Sequence, residues 1–180
     1  MEKKAMRSLL ASSLIVGALG LSACGSSSVS SSSTSSTTSS VPTTTIQLSA
    51  PLTSASKNLH SVGTATQYGW NQLVGTSTNS GETVGVEMLG NVAYTNGAGP
   101  FFGFVTYSWP DGSTIGVRMN GSATPGNDGT TSFSSPLTVL GGTGRYATAK
   151  GTGSFTGTRS GVLGSPVESR FTLHVANSTN

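Results

Sequence analysis

Charged side chains are scarce in this chain. Asp, Glu, Lys and Arg make up 8% of its 180 residues, against roughly 25% in ordinary soluble domains. A coiled coil or long helical bundle, about half Ala, Glu, Lys, Leu and Arg, is excluded by that shortage. Charge-driven disorder of the whole chain is excluded as well. Cysteine occurs once, at Cys24, so there can be no internal disulfide, no Cys metal cluster and no further thiol nucleophile. Histidine occurs twice, at His60 and His174, and a His metal site needs partners that the sequence does not supply. HExxH, P-loop and GxSxG patterns are all missing. No apolar run reaches the roughly 20 residues that a membrane-crossing helix needs, and no stretch keeps an apolar i, i+3, i+4, i+7 spacing. Ser, Thr and 25 Gly fill the space instead. The length suits one domain with a real core.

The first segment is read as a targeting leader. Lys3, Lys4 and Arg7 form a charged start, and Ser8 to Gly20 is an apolar run of 13 residues, the length of a secretory h-region. Leu21-Ser22-Ala23-Cys24-Gly25 follows. This resembles the lipobox of bacterial lipoproteins, an aliphatic residue and two small residues before Cys. The resemblance implies cleavage after residue 23 and a thioether-linked lipid on Cys24. Several buried acyl carbons, at about 0.8 kcal/mol per CH₂, make such an anchor durable. The expected location is the cell envelope, on the extracytoplasmic side of a bacterial membrane. Loss of residues 1–23 would leave six basic and five acidic residues. The apparent basicity therefore belongs mostly to the leader, and nucleic acid is not an expected partner.

From Ser26 to Thr45, seventeen of 20 residues are Ser or Thr. Such a stretch buries nothing and is expected to be a disordered tether, spanning roughly 25 Å as a flexible coil. The expected division is a leader at 1–23, lipidated Cys24 with its tether at 24–45, and one domain at 46–180. That domain holds 22 of the Gly residues, which are costly inside helices. Its apolar residues alternate at period two. Val84, Val86 and Met88 share one parity, as do Val167, Phe171, Leu173 and Val175. Val62 to Trp70, Ala93 to Thr95, Ser132 to Leu140 and Tyr146 to Thr158 are further candidate strands. Trp109-Pro110-Asp111-Gly112-Ser113 is a turn signature, with Gly112 able to take positive φ. Pairing Trp109 with Ser113 sets Tyr107 opposite Ile115, Val105 opposite Val117 and Phe104 opposite Arg118. Many strands, short Gly/Pro/Asn turns and Gly inside strands point to a strongly bent antiparallel sheet, hence a barrel.

Gly141-Gly142-Thr143-Gly144-Arg145-Tyr146-Ala147-Thr148-Ala149-Lys150-Gly151-Thr152-Gly153-Ser154-Phe155 resembles the GGTG block of allene oxide cyclase-like and dirigent-like proteins. Phe104 to Thr124 looks like the strand, Asp-Gly turn and strand of bacterial members. The resemblance spans most of residues 60–176. It implies a single eight-stranded antiparallel β-barrel, often a homotrimer, with an apolar interior cavity. Plant members cyclise an unsaturated epoxide or steer the coupling of phenoxy radicals. Independently of that resemblance, Ala147, Ala149, Gly151, Gly153 and Phe155 share one parity. They form a small-residue stripe suited to a narrow barrel wall. Gly142-x-Gly144-x-x-Ala147 loosely fits a dinucleotide fingerprint, but the following Gly151-Thr152-Gly153 forbids the helix it requires.

Few groups could carry chemistry. Asp111 and Asp128 belong to turns, and His174 lies on the polar parity of its strand. Glu87 and Arg118 are the candidate catalytic pair if the polar parity faces the interior. If the apolar parity faces inward, both are surface residues. Tyr107 and Trp109 are candidate ligand contacts, or ordinary core. No cofactor or metal is expected. Three readings stand. The first is binding of a small hydrophobic or aromatic molecule in the barrel. The second is a structural or interaction role in the envelope with a filled barrel. The third is an isomerase or cyclase. An interior cavity above about 300 Å³ would favour a ligand.

Overall fold

The structure, a computed structural model, describes residues 42–161 and 164–177. The leader, Cys24 and the tether as far as residue 41 lie outside the described residues.

Eight strands follow one another: β1 (Thr43–Val62), β2 (Thr66–Asn79), β3 (Glu82–Thr95), β4 (Gly99–Ser108), β5 (Thr114–Pro125), β6 (Thr130–Thr143), β7 (Ala149–Ser160) and β8 (Val167–Asn177). Each pairs antiparallel with the next, and β8 returns to β1, so the sheet closes into a barrel. Closure leaves no free edge for another chain to extend. A 3-10 turn, Gly144–Tyr146, links β6 to β7. The eight-stranded antiparallel barrel expected from the sequence is the fold the chain adopts.

Alternation decides which face is inside. On β1, Ile46, Leu48, Ala50 and Leu52 are buried and their neighbours are not. The same period places Val84, Val86 and Met88 of β3, Val105 and Tyr107 of β4, Ile115, Val117 and Met119 of β5, and Phe171, Leu173 and Val175 of β8 inside. The apolar parity is therefore the interior. The β4–β5 hairpin has the register read from its turn, with Tyr107 opposite Ile115, Val105 opposite Val117 and Phe104 opposite Arg118. The Trp109 N–H donates to the Ser113 carbonyl at 3.0 Å, and Gly112 takes φ +81°.

Three boundaries differ from expectation. β1 begins at Thr43, inside the stretch read as tether, because Thr43 to Leu52 pair with Val167 to Ala176. Val62 to Trp70 is not one strand: the chain reverses at residues 63–65, with Gly63 at φ +65°. Tyr146 belongs to the 3-10 turn, and β7 starts at Ala149.

An aromatic column fills the barrel along much of its length. Tyr107 meets Phe171 edge-on at 5.5 Å, and Phe171 stacks on Phe155 at 5.1 Å. Phe155 contacts Phe101 at 6.2 Å, and Phe101 contacts Phe133 at 6.1 Å. Each such pair adds about 0.5–1.5 kcal/mol beyond area burial. Room for these rings comes from small residues on the same walls. At Gly103 of β4 a Cβ would collide with the Leu89 carbonyl oxygen of β3. Gly103→Ala should therefore lower stability by about 1–3 kcal/mol, the usual cost of overpacking. Chemical denaturation checks it, and an unchanged midpoint would show that β3 and β4 can separate freely there.

Candidate functional site

The two barrel ends are built differently. At one end lie the β2–β3 turn, the β4–β5 turn and the β6–β7 link. Trp109 is buried there, with the Tyr146 ring 4.6 Å from its own. The Arg145 guanidinium lies 5.5 Å from the Trp109 ring centre and 5.3 Å from that of Tyr146. Arg145 Nη2 donates to Glu82 Oε2 at 2.6 Å, and Nη1 lies 3.5 Å from Asp111 Oδ2. Hydrogen bonding to Glu82 holds the Arg145 pKa above its already high ordinary value. Asp111 caps its own turn: the Ser113 N–H and hydroxyl donate to it at 2.9 and 3.0 Å, and the Ser113 N–H leads in holding its pKa below the usual carboxylate range. This end is shut by paired charges over two rings inclined at 45° to each other.

The other end carries the 63–65, 96–98 and 126–129 turns. Inside it lies a cleft of about 50 Å³ lined chiefly by apolar side chains, among them Leu73, Met88, Val92, Phe101 and Met119. Outside it is an open polar depression among the turns. Arg159 of β7 lines both. Its side chain points inward because Phe155, Gly157 and Arg159 share the buried parity of β7. Arg159 is only 4% exposed. Its guanidinium stands 5.3 Å from the Phe133 ring centre. Nη2 donates to Thr131 Oγ1 at 3.2 Å and to the Gly97 carbonyl at 3.4 Å. Nε is buried without a partner, and Arg159 forms no ion pair with a carboxylate among the described residues. Burial lowers the Arg159 pKa. Tyr94 lines the same cleft, and burial pushes its pKa up to about 12, against the pull of the Arg159 charge.

The sequence candidates lie elsewhere. Glu87 and Arg118 stand on the outer parity, so they do not converge in the interior. Glu87 is half-buried and accepts a hydrogen bond from Gln72 Nε2 at 2.5 Å, while Arg118 is exposed beside Phe104. Their side chains follow the polar alternation, which the core forces outward. Tyr107 and Trp109 are core, and neither lines the cleft. His174 is exposed, with Nδ1 3.2 Å from Thr45 Oγ1. Asp128 is satisfied by the Thr130 N–H and hydroxyl. Among the described residues no group of three or more His, Cys, Asp or Glu could hold a metal ion. Arg159 is the residue that the sequence reading misses. Extending the Ala149-to-Phe155 parity by four residues would have placed it inside.

The outer wall carries one further feature. Trp70, Leu89, Phe102 and Phe104 are 40–53% exposed. Leu89 is opposite Phe104, and Trp70 and Phe102 both pair with Asn91, so the four are neighbours across β2, β3 and β4. Arg118 borders this patch on β5, and Glu87 borders it on β3.

Comparison with known proteins adds little to this geometry. No family model matches the chain, and no curated protein matches it. Among solved structures it is similar to a pterocarpan synthase dirigent protein. Identity is 12%, the match covers 77% of this chain and 87% of that one, and the TM-score is 0.46.

The Tyr107 hydroxyl is buried without a hydrogen-bond partner, and burial holds its pKa far above the ordinary phenol value. Removing an unsatisfied buried group returns its desolvation penalty. Tyr107→Phe should therefore raise stability by about 1 kcal/mol, read as a higher denaturation midpoint. A loss of similar size would mean that the hydroxyl has a partner inside the barrel.

Proposed function

We propose that the chain is a lipid-anchored, extracytoplasmic barrel that works by contact through its outer wall, not by turnover inside it. The observation that carries this reading is the contrast between a filled interior and an apolar exterior patch. A cleft of about 50 Å³ falls well short of the roughly 300 Å³ of an ordinary small-molecule pocket. That favours the structural or interaction role over interior binding of a large hydrophobic molecule and over the cyclase reading. Attachment to the membrane is assigned to a lipid on Cys24. The lipobox-like Leu21-Ser22-Ala23-Cys24 supports this, and the apolar-in, polar-out alternation, the reverse of a membrane-spanning barrel, gives the strands no part in the attachment.

The partner for the outer patch is a second copy of this chain. Trp70, Leu89, Phe102 and Phe104 supply the aromatic anchors favoured at interface centres. Glu87 and Arg118 border them with opposite charges, so the patch is complementary to itself. The homotrimer implied by the resemblance is one way to satisfy it.

Full-length chain in detergent should be oligomeric by light scattering. Phe104→Glu should weaken assembly at least tenfold, since it buries a charge at the centre of the contact. Arg118→Glu should do the same, with recovery in the Glu87→Arg/Arg118→Glu double variant. A monomer at tens of micromolar, or an oligomer indifferent to Phe104→Glu, would overturn this role for the patch. The anchor has a separate test. Cys24→Ser should abolish acyl labelling and release the chain from the membrane fraction, and unchanged retention would rule the lipid out.

A further inference from the structure

The contacts of Arg159 with Thr131, the Gly97 carbonyl and the Phe133 ring leave its charge without an acidic partner among the described residues. A buried guanidinium is normally paired with a carboxylate, because an uncompensated charge in an apolar setting is costly. Here it sits beneath the barrel mouth with Nε unpartnered and two long, neutral acceptors on Nη2. Among the described residues no Asp or Glu lines the cleft below it or the depression above it. A second cation stands nearby: a Cβ on Gly164, which lines the cleft, would lie 2.7 Å from Lys57 Nζ. The mouth therefore offers positive charge over an apolar floor. A carboxylate fits a guanidinium that lacks an acidic partner, because its two oxygens can accept from two N–H groups together.

The floor limits what the carboxylate can carry. About 50 Å³ holds roughly four water-sized groups, taking about 10–15 Å³ for each. Phe101, Phe133 and Phe155 line it. A short branched hydrocarbon of about four carbons fills such a space, whereas a benzene ring takes a cavity of about 150 Å³.

We propose that Arg159 is the anion-binding residue of a small site at the barrel mouth. The site takes a compact apolar monocarboxylic acid, its carboxylate on the guanidinium and its hydrocarbon in the cleft among Met88, Val92, Phe101, Met119 and Phe133. The ligand replaces the missing acidic partner of Arg159. The site opens away from the Trp109 end and faces inward, so it is independent of how the outer wall associates.

The test is calorimetric titration of the full chain in detergent with pivalate, neopentyl alcohol and acetate. The expected result is pivalate binding at least tenfold tighter than either of the others, since only pivalate offers both the anion and the branched hydrocarbon. Arg159→Met should abolish the preference for pivalate over neopentyl alcohol. Arg159→Lys should keep part of it. Met119→Phe, which fills the cleft and leaves the guanidinium in place, should lose pivalate as well. Thermal melting without ligand separates binding from folding. Arg159→Met should melt no lower than the parent, because it removes a buried charge that lacks a counterion. Equal binding of pivalate and neopentyl alcohol, acetate binding as tightly as pivalate, or no pivalate binding to folded parent protein would each overturn the proposal. So would a clear loss of melting temperature in Arg159→Met, which would make the guanidinium a structural element.

Discussion

An eight-stranded barrel encloses a space that side chains can just fill, and this chain's architecture follows from filling it. Period-two alternation along the strands sends one apolar set inward, and closure of β8 onto β1 leaves that set nowhere else to go. Five aromatic rings from Tyr107 to Phe133 then occupy much of the axis. Glycines such as Gly103 leave the walls without side chains where strands come closest. The low charge of the sequence is the corollary. Ser and Thr dress most of the outside, and the few ions are shared among the outer wall, the turns, the shut end and the mouth.

The two ends show what charge does when it is rare. At the shut end Arg145 has Glu82 and Asp111 beside it and rings beneath it. At the mouth Arg159 has a ring and two neutral acceptors but, among the described residues, no acid. Both are arginines at the rim of one barrel, and they differ in solvent and partner. Arg145 is exposed and paired. Arg159 is buried and unpaired, the costlier arrangement. Strained or unsatisfied groups that persist in a packed domain are the natural places to look for function.

Much of the barrel is legible in the sequence where turn chemistry and alternation agree. The β4–β5 hairpin is the clearest case: Pro110, Asp111 and Gly112 fix the turn, and the register follows residue by residue. β1 is harder. Its first half alternates cleanly from Ile46 to Leu52, but from Thr53 to Asn58 only Ala55 is apolar, and the register with β2 shifts between Ser54 and Ser56. Thr43 to Thr45 look like tether until β8 pairs with them. The reversal at Gly63 is hidden because apolar and aromatic residues flank it on both sides. The site is less legible than the fold. Parity alone excludes Glu87 and Arg118 from the interior once the apolar face is known to be inside. The same parity admits Arg159, but a lone Arg near a strand end reads as surface unless the stripe is followed past Phe155. The outer patch needs the three-strand register, which no single strand reveals.

A filled interior is the premise on which a contact role and a small mouth site both rest. Crystallography of the barrel under xenon pressure reads interior space directly, since xenon enters apolar voids and leaves packed regions empty. The expected map has xenon in the cleft beneath Arg159 and none among Tyr107, Phe155 and Phe171. Xenon bound beside those three rings would contradict a filled barrel and make the deep interior a ligand site again.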